Sequence, residues 1–80
     1  MDEGPQYEYV RVADEIERRI GRGDWKFGSR LPGRGALAER LGESEMTVRR
    51  ALRELERRGV VRVLPSSGAW VTWPGHTEGI

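Results

Sequence analysis

Thr47, Arg49, Arg50 and Arg53 are the residues of this chain whose types and spacing suit chemistry. An arginine presents a planar fork of N–H donors that keeps its charge at any ordinary pH, which matches phosphate oxygens and the O6/N7 edge of guanine. A threonine hydroxyl near a helix start donates to a phosphate in the same region, where free backbone N–H groups also favour an anion. Between these polar residues stand Val48, Ala51, Leu52 and Leu55, spaced three, one and three apart. That is one apolar stripe of a 3.6-residue helix, so the arginines fall on the opposite face. Later in the stretch Arg57 and Arg58 read as a solvated face near the negative helix end, and Arg50 is spaced to pair with Glu54. Nothing comparable supports bond making. There is no cysteine, the single histidine is His76 in a Gly-rich tail, and Ser66-Ser67 has no base to activate it. Gly33-Arg34-Gly35 lacks P-loop spacing. No enzyme, metal site or cofactor is expected.

The elements needed to hold that face follow from the same kind of reading. Ser44 is a good N-cap for a helix running to Arg58, and Gly59 suits the left-handed position that ends one. Upstream, Arg34 to Leu41 reads as a short helix with Leu37, Ala38 and Leu41 apolar, Gly33 as its weak N-cap and Gly42-Glu43 as the turn out of it. Two short helices joined by a Gly-containing turn form a helix-turn-helix. An earlier amphipathic helix spans Tyr7 to Ile20, with Tyr9, Ala13, Ile16 and Ile20 in its stripe and Val12 at the margin; Gly21 and Gly23 stop it. Trp25 and Phe27 in the connector are read as cover for the end of the core, with ligand stacking as the alternative. Ser29 to Pro32 reads as a brief extended segment, with Pro32 biasing Leu31 away from the helical region. Downstream, the β-branched run Val60 to Leu64, the turn Pro65-Ser66-Ser67-Gly68 and Ala69 to Trp73 make a hairpin. Ala69, Val71 and Trp73 share one face of it, and Trp70 and Trp73 are read as core and edge cover.

The fold class is therefore mainly α with a small β-hairpin, a winged helix-turn-helix of three helices plus wing. Residues 1–6 are expected to be a disordered lead-in, 7–75 the domain and 76–80 a flexible tail. Eighty residues make one small domain with a thin core. Net charge is only +1, but its distribution is uneven. Residues 1–24 hold seven acids against four arginines, whereas residues 30–63 hold nine arginines against five glutamates. The basic half contains the arginine-bearing helix, which is the arrangement that attracts phosphate. No apolar run approaches the length of a membrane span and the N-terminus lacks a signal pattern, so a soluble, cytoplasmic, nucleoid-associated protein is expected.

From Tyr7 to Trp73 the sequence resembles the N-terminal DNA-binding domain of GntR-type bacterial transcription regulators. The resemblance is carried by Val12-Ala13-Asp14-Glu15-Ile16, Leu31-Pro32, Leu37-Ala38-Glu39-Arg40-Leu41-Gly42, Ser44, Thr47-Val48-Arg49-Arg50-Ala51-Leu52, Leu55, Gly59-Val60-Val61 and Gly68-Ala69-Trp70-Val71. Each motif is common alone; their order and spacing are specific. The resemblance implies sequence-specific binding of double-stranded DNA and regulation of transcription, as a repressor or an activator, from a two-fold operator. The helix at 44–58 would enter the major groove and the wing at 65–69 would lie at the minor groove. By position it implies DNA contacts at Thr47, Arg49 and the wing glycine Gly68, where bare backbone approaches closely. Arg34, Ser44, Glu45, Arg50, Arg53 and Ser67 complete the expected set, dividing into phosphate-positioning contacts (Arg34, Ser44, Thr47, Arg53 and the wing) and base-reading ones (Glu45, Arg49 and Arg50).

The sequence departs from the family pattern in three places. Gly33-Arg34-Gly35 stands where the family has Ser-Glu-Arg, so the arginine contact is lost unless Arg34 replaces it. Glu45 stands where arginine is common, and either accepts from a cytosine N4–H₂ or repels DNA. The wing tip carries no charge. These departures motivate a second reading, a winged helix that binds protein and has little affinity for DNA. The family usually adds an effector-binding and dimerisation domain. A chain ending after the wing reads as an isolated domain or a stand-alone protein, with no effector pocket and with weak homodimerisation, or dimerisation only on DNA.

Overall fold

A computed structural model of the chain describes residues 5–75. The lead-in residues 1–4 and the tail from His76 to Ile80 lie outside the described residues. The elements are α1 (Pro5–Gly21), α2 (Arg34–Leu41), α3 (Glu45–Arg57), β1 (Val61–Leu64) and β2 (Gly68–Val71). Helix α1 begins two residues before the expected Tyr7, so Pro5 and Gln6 are helical and not part of a lead-in. Proline suits a first helical turn, because its φ is already helical and its missing N–H would have no helical acceptor there. The chain leaves α1 through Gly23, whose φ of 95° is left-handed, while Asp24 N–H closes on the Arg19 carbonyl at 2.9 Å.

Helix α3 is capped as its sequence requires. The Ser44 hydroxyl accepts from Thr47 N–H at 3.1 Å, and Val60 N–H reaches back to the Leu55 carbonyl at 2.9 Å across left-handed Gly59. Between the caps Val48, Ala51, Leu52 and Leu55 are all buried. They meet Val12, Ala13, Ile16 and Ile20 from α1, Leu37 and Ala38 from α2, and Val60, Val61, Ala69 and Val71 from the wing. Each large aliphatic side chain closed off in this way contributes about 1.5–3 kcal/mol. Helix α3 touches α1, α2 and β1, so the core fixes its position from three sides. Its outer face is left to solvent.

The hairpin pairs Val61 with Val71 and Leu64 with Gly68 in antiparallel register. Each strand differs slightly from the expected bounds, and Thr72 N–H extends the pairing to the Val60 carbonyl at 2.9 Å. The segment before α2 does more than run extended. Gly28 N–H donates to the Val71 carbonyl, Val71 N–H to the Ser29 carbonyl and Leu31 N–H to the Ala69 carbonyl, at 2.8–2.9 Å. Residues 28–31 thus line the free edge of β2, with Arg30 opposite Trp70.

Three expectations about side chains need correction. Trp25 packs against the core as expected, but Phe27 is 65 % exposed. It is a central residue of the turn closed by Ser29 N–H on the Lys26 carbonyl, with Gly28 at a φ of 84°, and the side chains of such a turn point outward. Glu54 pairs with Arg57 at 2.6 Å and Arg58 at 2.9 Å and not with Arg50. A carboxylate on the N-terminal side of its partner is the favoured order, and Arg50–Glu54 is the reverse. Arg58 is not merely solvated. It reaches Asp14 at 3.0 Å and Glu17 at 2.8 Å, tying the end of α3 to α1. Burial works against its charge, but the hydrogen bonds it donates to Glu17, Glu54 and Asp14 outweigh that and hold its pKa above the usual arginine value.

Candidate nucleic-acid interface

Between α3, the segment leading into α2 and the wing lies a groove of about 350 Å³. Arg30, Arg34, Arg49, Arg53, Leu52 and Gly68 are among its lining residues. Four of the residues expected from sequence, Arg34, Arg49, Arg53 and Gly68, are brought together here from three different elements. The apolar stripe of α3 sets this up: because Val48 and Leu52 must face the core, Arg49 and Arg53 are turned outward along one edge. Arg50 is directed to the other side of Arg53, into a shallow depression shared with Tyr9, Glu54 and Arg57. Ser67 is exposed on the wing turn, its N–H bonded to the Leu64 carbonyl at 3.1 Å.

Helix α3 presents a mixed head to this surface. The Ser44 hydroxyl, besides accepting from Thr47 N–H, donates to Thr47 Oγ1 at 3.0 Å. Its proton is thereby used inside the cap, and the Thr47 hydroxyl is the one left to donate outward. Glu45 is exposed, and its Oε2 lies 3.2 Å from where a Cβ on Gly35 would stand. The two departures from the family pattern are therefore neighbours in space: the carboxylate of one occupies room left by the missing side chain of the other. Next to them Met46 is 57 % exposed, a large apolar side chain open to solvent. Its position was readable in principle, since it stands about 200° around the helix from Val48 at about 100° per residue.

The distribution of charge partners separates the arginines into two groups. Among the described residues, ion pairs are made by Arg11, Arg18, Arg19, Arg22, Arg57 and Arg58. Their acids, with the exception of Glu54, belong to α1 and the connector after it. Hydrogen bonds from Arg18 and then Arg19 hold the Glu15 carboxyl down to about 2, and those from Arg57 and Arg58 do the same for Glu54. Arg30, Arg34, Arg40, Arg49, Arg50, Arg53 and Arg62 make no ion pair among the described residues, and the first two with Arg49 and Arg53 line the groove. Their charge faces solvent unneutralised, apart from the nearby carboxylate of Glu45. Arg30 escaped the sequence reading because its pairing with β2 joins segments far apart in the chain.

Among the described residues there is no group of three or more side chains suited to a metal ion, and no helix long and apolar enough to cross a membrane. The family model for bacterial regulatory proteins of the gntR family matches residues 8–71. The histidine utilization repressor of Pseudomonas putida is 39 % identical over 74 residues, covering 92 % of this chain and 30 % of that protein. The mannosyl-D-glycerate transport/metabolism system repressor of Escherichia coli (strain K12) is 40 % identical over 63 residues, covering 79 % of this chain and 26 % of the repressor. The chain thus spans less than a third of either relative. Among solved structures, AraR(DBD) in complex with an operator superposes with a TM-score of 0.75 at 26 % identity, over 81 % of this chain and 79 % of that one. The possible transcriptional regulator YydK from Bacillus subtilis gives 0.76 at 27 % identity, over 88 % and 31 %.

Proposed function

The chain belongs to the gntR family of bacterial regulatory proteins, and we propose that its described residues form a sequence-specific reader of double-stranded DNA that represses transcription from an operator. The observation that carries this is the charge partition. The arginines turned towards α1, and Arg57 at the end of α3, are matched by acids, while Arg49, Arg50 and Arg53 on α3 and Arg30 and Arg34 beside the groove make no ion pair among the described residues, which is what a surface meeting a polyanion requires. The likeness to AraR(DBD) bound to an operator supports the docking mode.

In this mode α3 enters the major groove. Arg49 and Arg50 donate to base edges, Glu45 accepts from a cytosine N4–H₂, and Met46 offers apolar surface to a thymine methyl. Arg34, Arg53, Thr47, Ser67 and the bare backbone at Gly68 position the duplex through its phosphates, with Ser44 acting through Thr47. Two copies on a two-fold site follow from the usual geometry of helix-turn-helix proteins. The protein acts in the cytoplasm, on the nucleoid, by occupying DNA and not by catalysis. Selection of random duplex DNA by the purified protein tests the proposal: a recovered half-site motif is expected. Glu45 above Gly35 favours a second reading, a protein-binding winged helix, which predicts no enrichment even at low salt.

A further inference from the structure

The wing's turn, Pro65-Ser66-Ser67, and Gly68 bear no charge, yet the structure brings a cation to them from elsewhere in the chain. Residues 28–31 are held on the edge of β2 by three backbone hydrogen bonds, and Arg30 stands opposite Trp70. From there the Arg30 side chain lies across Gly68. Its Nε is 3.0 Å, its Nη2 3.5 Å and its Cζ 3.6 Å from the point a Cβ on Gly68 would occupy. The guanidinium therefore rests on bare backbone at the start of β2, in space that any side chain at 68 would contest. Arg30 is exposed and makes no ion pair among the described residues. It also lines the groove shared by Arg34, Arg49 and Arg53, so the cations form one arc from α3 to the wing.

We infer that Arg30 is the cation of the wing tip: it contacts the phosphate backbone at the edge of the minor groove, supplying from the connector the charge that the tip itself lacks. The inference rests on the DNA-binding reading above. Backbone pairing fixes the Cα of Arg30 relative to the wing, so the contact orders a side chain and not a loop. The guanidinium's planar fork suits a phosphate better than an ammonium would, but either keeps the charge. The contact is with phosphate and is therefore independent of base sequence.

The test measures affinity against salt for the parent, Arg30→Ala and Arg30→Lys, on a selected duplex and on an unrelated one. Arg30→Ala is expected to weaken both complexes by the same factor and to reduce the log–log salt slope by about 0.9, the value for one phosphate contact. Arg30→Lys is expected to restore the slope. Parent-like affinity and slope in Arg30→Ala would overturn the inference while leaving the DNA-binding reading intact. A loss confined to the selected duplex, with the slope unchanged, would also overturn it, because that is the signature of base reading. Failure of the parent itself to bind any duplex at low salt would remove the reading and the inference together.

Discussion

Arg49 and Arg58 stand near the two ends of α3, and their surroundings give the same side chain opposite tasks. Arg58 is surrounded by Asp14, Glu17 and Glu54 and ties two helices together. Arg49 is exposed beside the groove with no ion pair among the described residues, and it lies off the buried stripe. Arg49→Ala is therefore expected to cost about 1–3 kcal/mol of binding to a selected site while the thermal unfolding midpoint stays at the parent's value. Fluorescence anisotropy with a labelled duplex measures the first and circular dichroism the second; parent-like affinity would show that the wrong face has been assigned. Arg49 was legible in the sequence because a helix repeats every 3.6 residues, so the apolar stripe locates the opposite face without any knowledge of the rest of the chain. Arg30 and the clamp at Arg58 were not, because each depends on a partner dozens of residues away. Phe27 misled for a related reason: apolar character argues for burial, but a turn decides where the ring points.

At the scale of elements, local chemistry settled the helices almost completely. Ser44, Gly42 and Gly59 stand where helix ends require a side-chain acceptor or a left-handed residue, and α2 ends and α3 begins and ends at those marks. The cap is itself open to test. Ser44→Ala removes the acceptor of Thr47 N–H and should lower stability by about 1 kcal/mol, read as a lower urea midpoint with an unchanged slope. It should also weaken DNA binding, since the Thr47 hydroxyl loses the neighbour that orients it. An unchanged midpoint would mean that water replaces the cap at no cost. The strands were legible only in outline. The alternation of Ala69, Val71 and Trp73 announces a hairpin, but nothing local shows that residues 28–31 will take its free edge. That pairing is selected by long-range packing, and it is what carries a cation to the wing.

Across the whole molecule, acids and bases are sorted by function as well as by sequence. The acidic half places its carboxylates on α1, where they meet Arg18, Arg19 and Arg58, and of the basic half's arginines those on the groove side, Arg30, Arg34, Arg49 and Arg53, are left facing outward. This sorting has a consequence for acid stability. The hydrogen bonds from Arg18 and Arg19 lower Glu15, and those from Arg57 and Arg58 lower Glu54, from an ordinary 4.5 to about 2. A carboxyl whose folded pKa lies below its unfolded one stabilises fully above the unfolded value and loses that contribution as pH falls through the folded value. Glu43 runs the other way: its hydrogen bond with Glu8 raises its pKa, so protonation there favours the folded state. With two strongly lowered carboxyls against one raised, the unfolding temperature should decline from about pH 4.5 down to about pH 2. Thermal melts across that range check the sign, and a flat profile would mean that the ion pairs do not persist in solution.

The central claim is that the unpaired arginines of α3, the groove and the wing bind duplex DNA and read its sequence. Its most direct test takes the duplexes recovered by selection and measures their affinity at several salt concentrations beside an unrelated duplex. Binding to both should fall steeply as salt rises, with a slope that counts phosphate contacts at about 0.9 each. The selected duplex should remain the tighter at every concentration. Equal affinities would leave a cationic surface without sequence reading. No binding at low salt would contradict the account outright, and would mean that Glu45, lying over Gly35, turns the helix away from DNA.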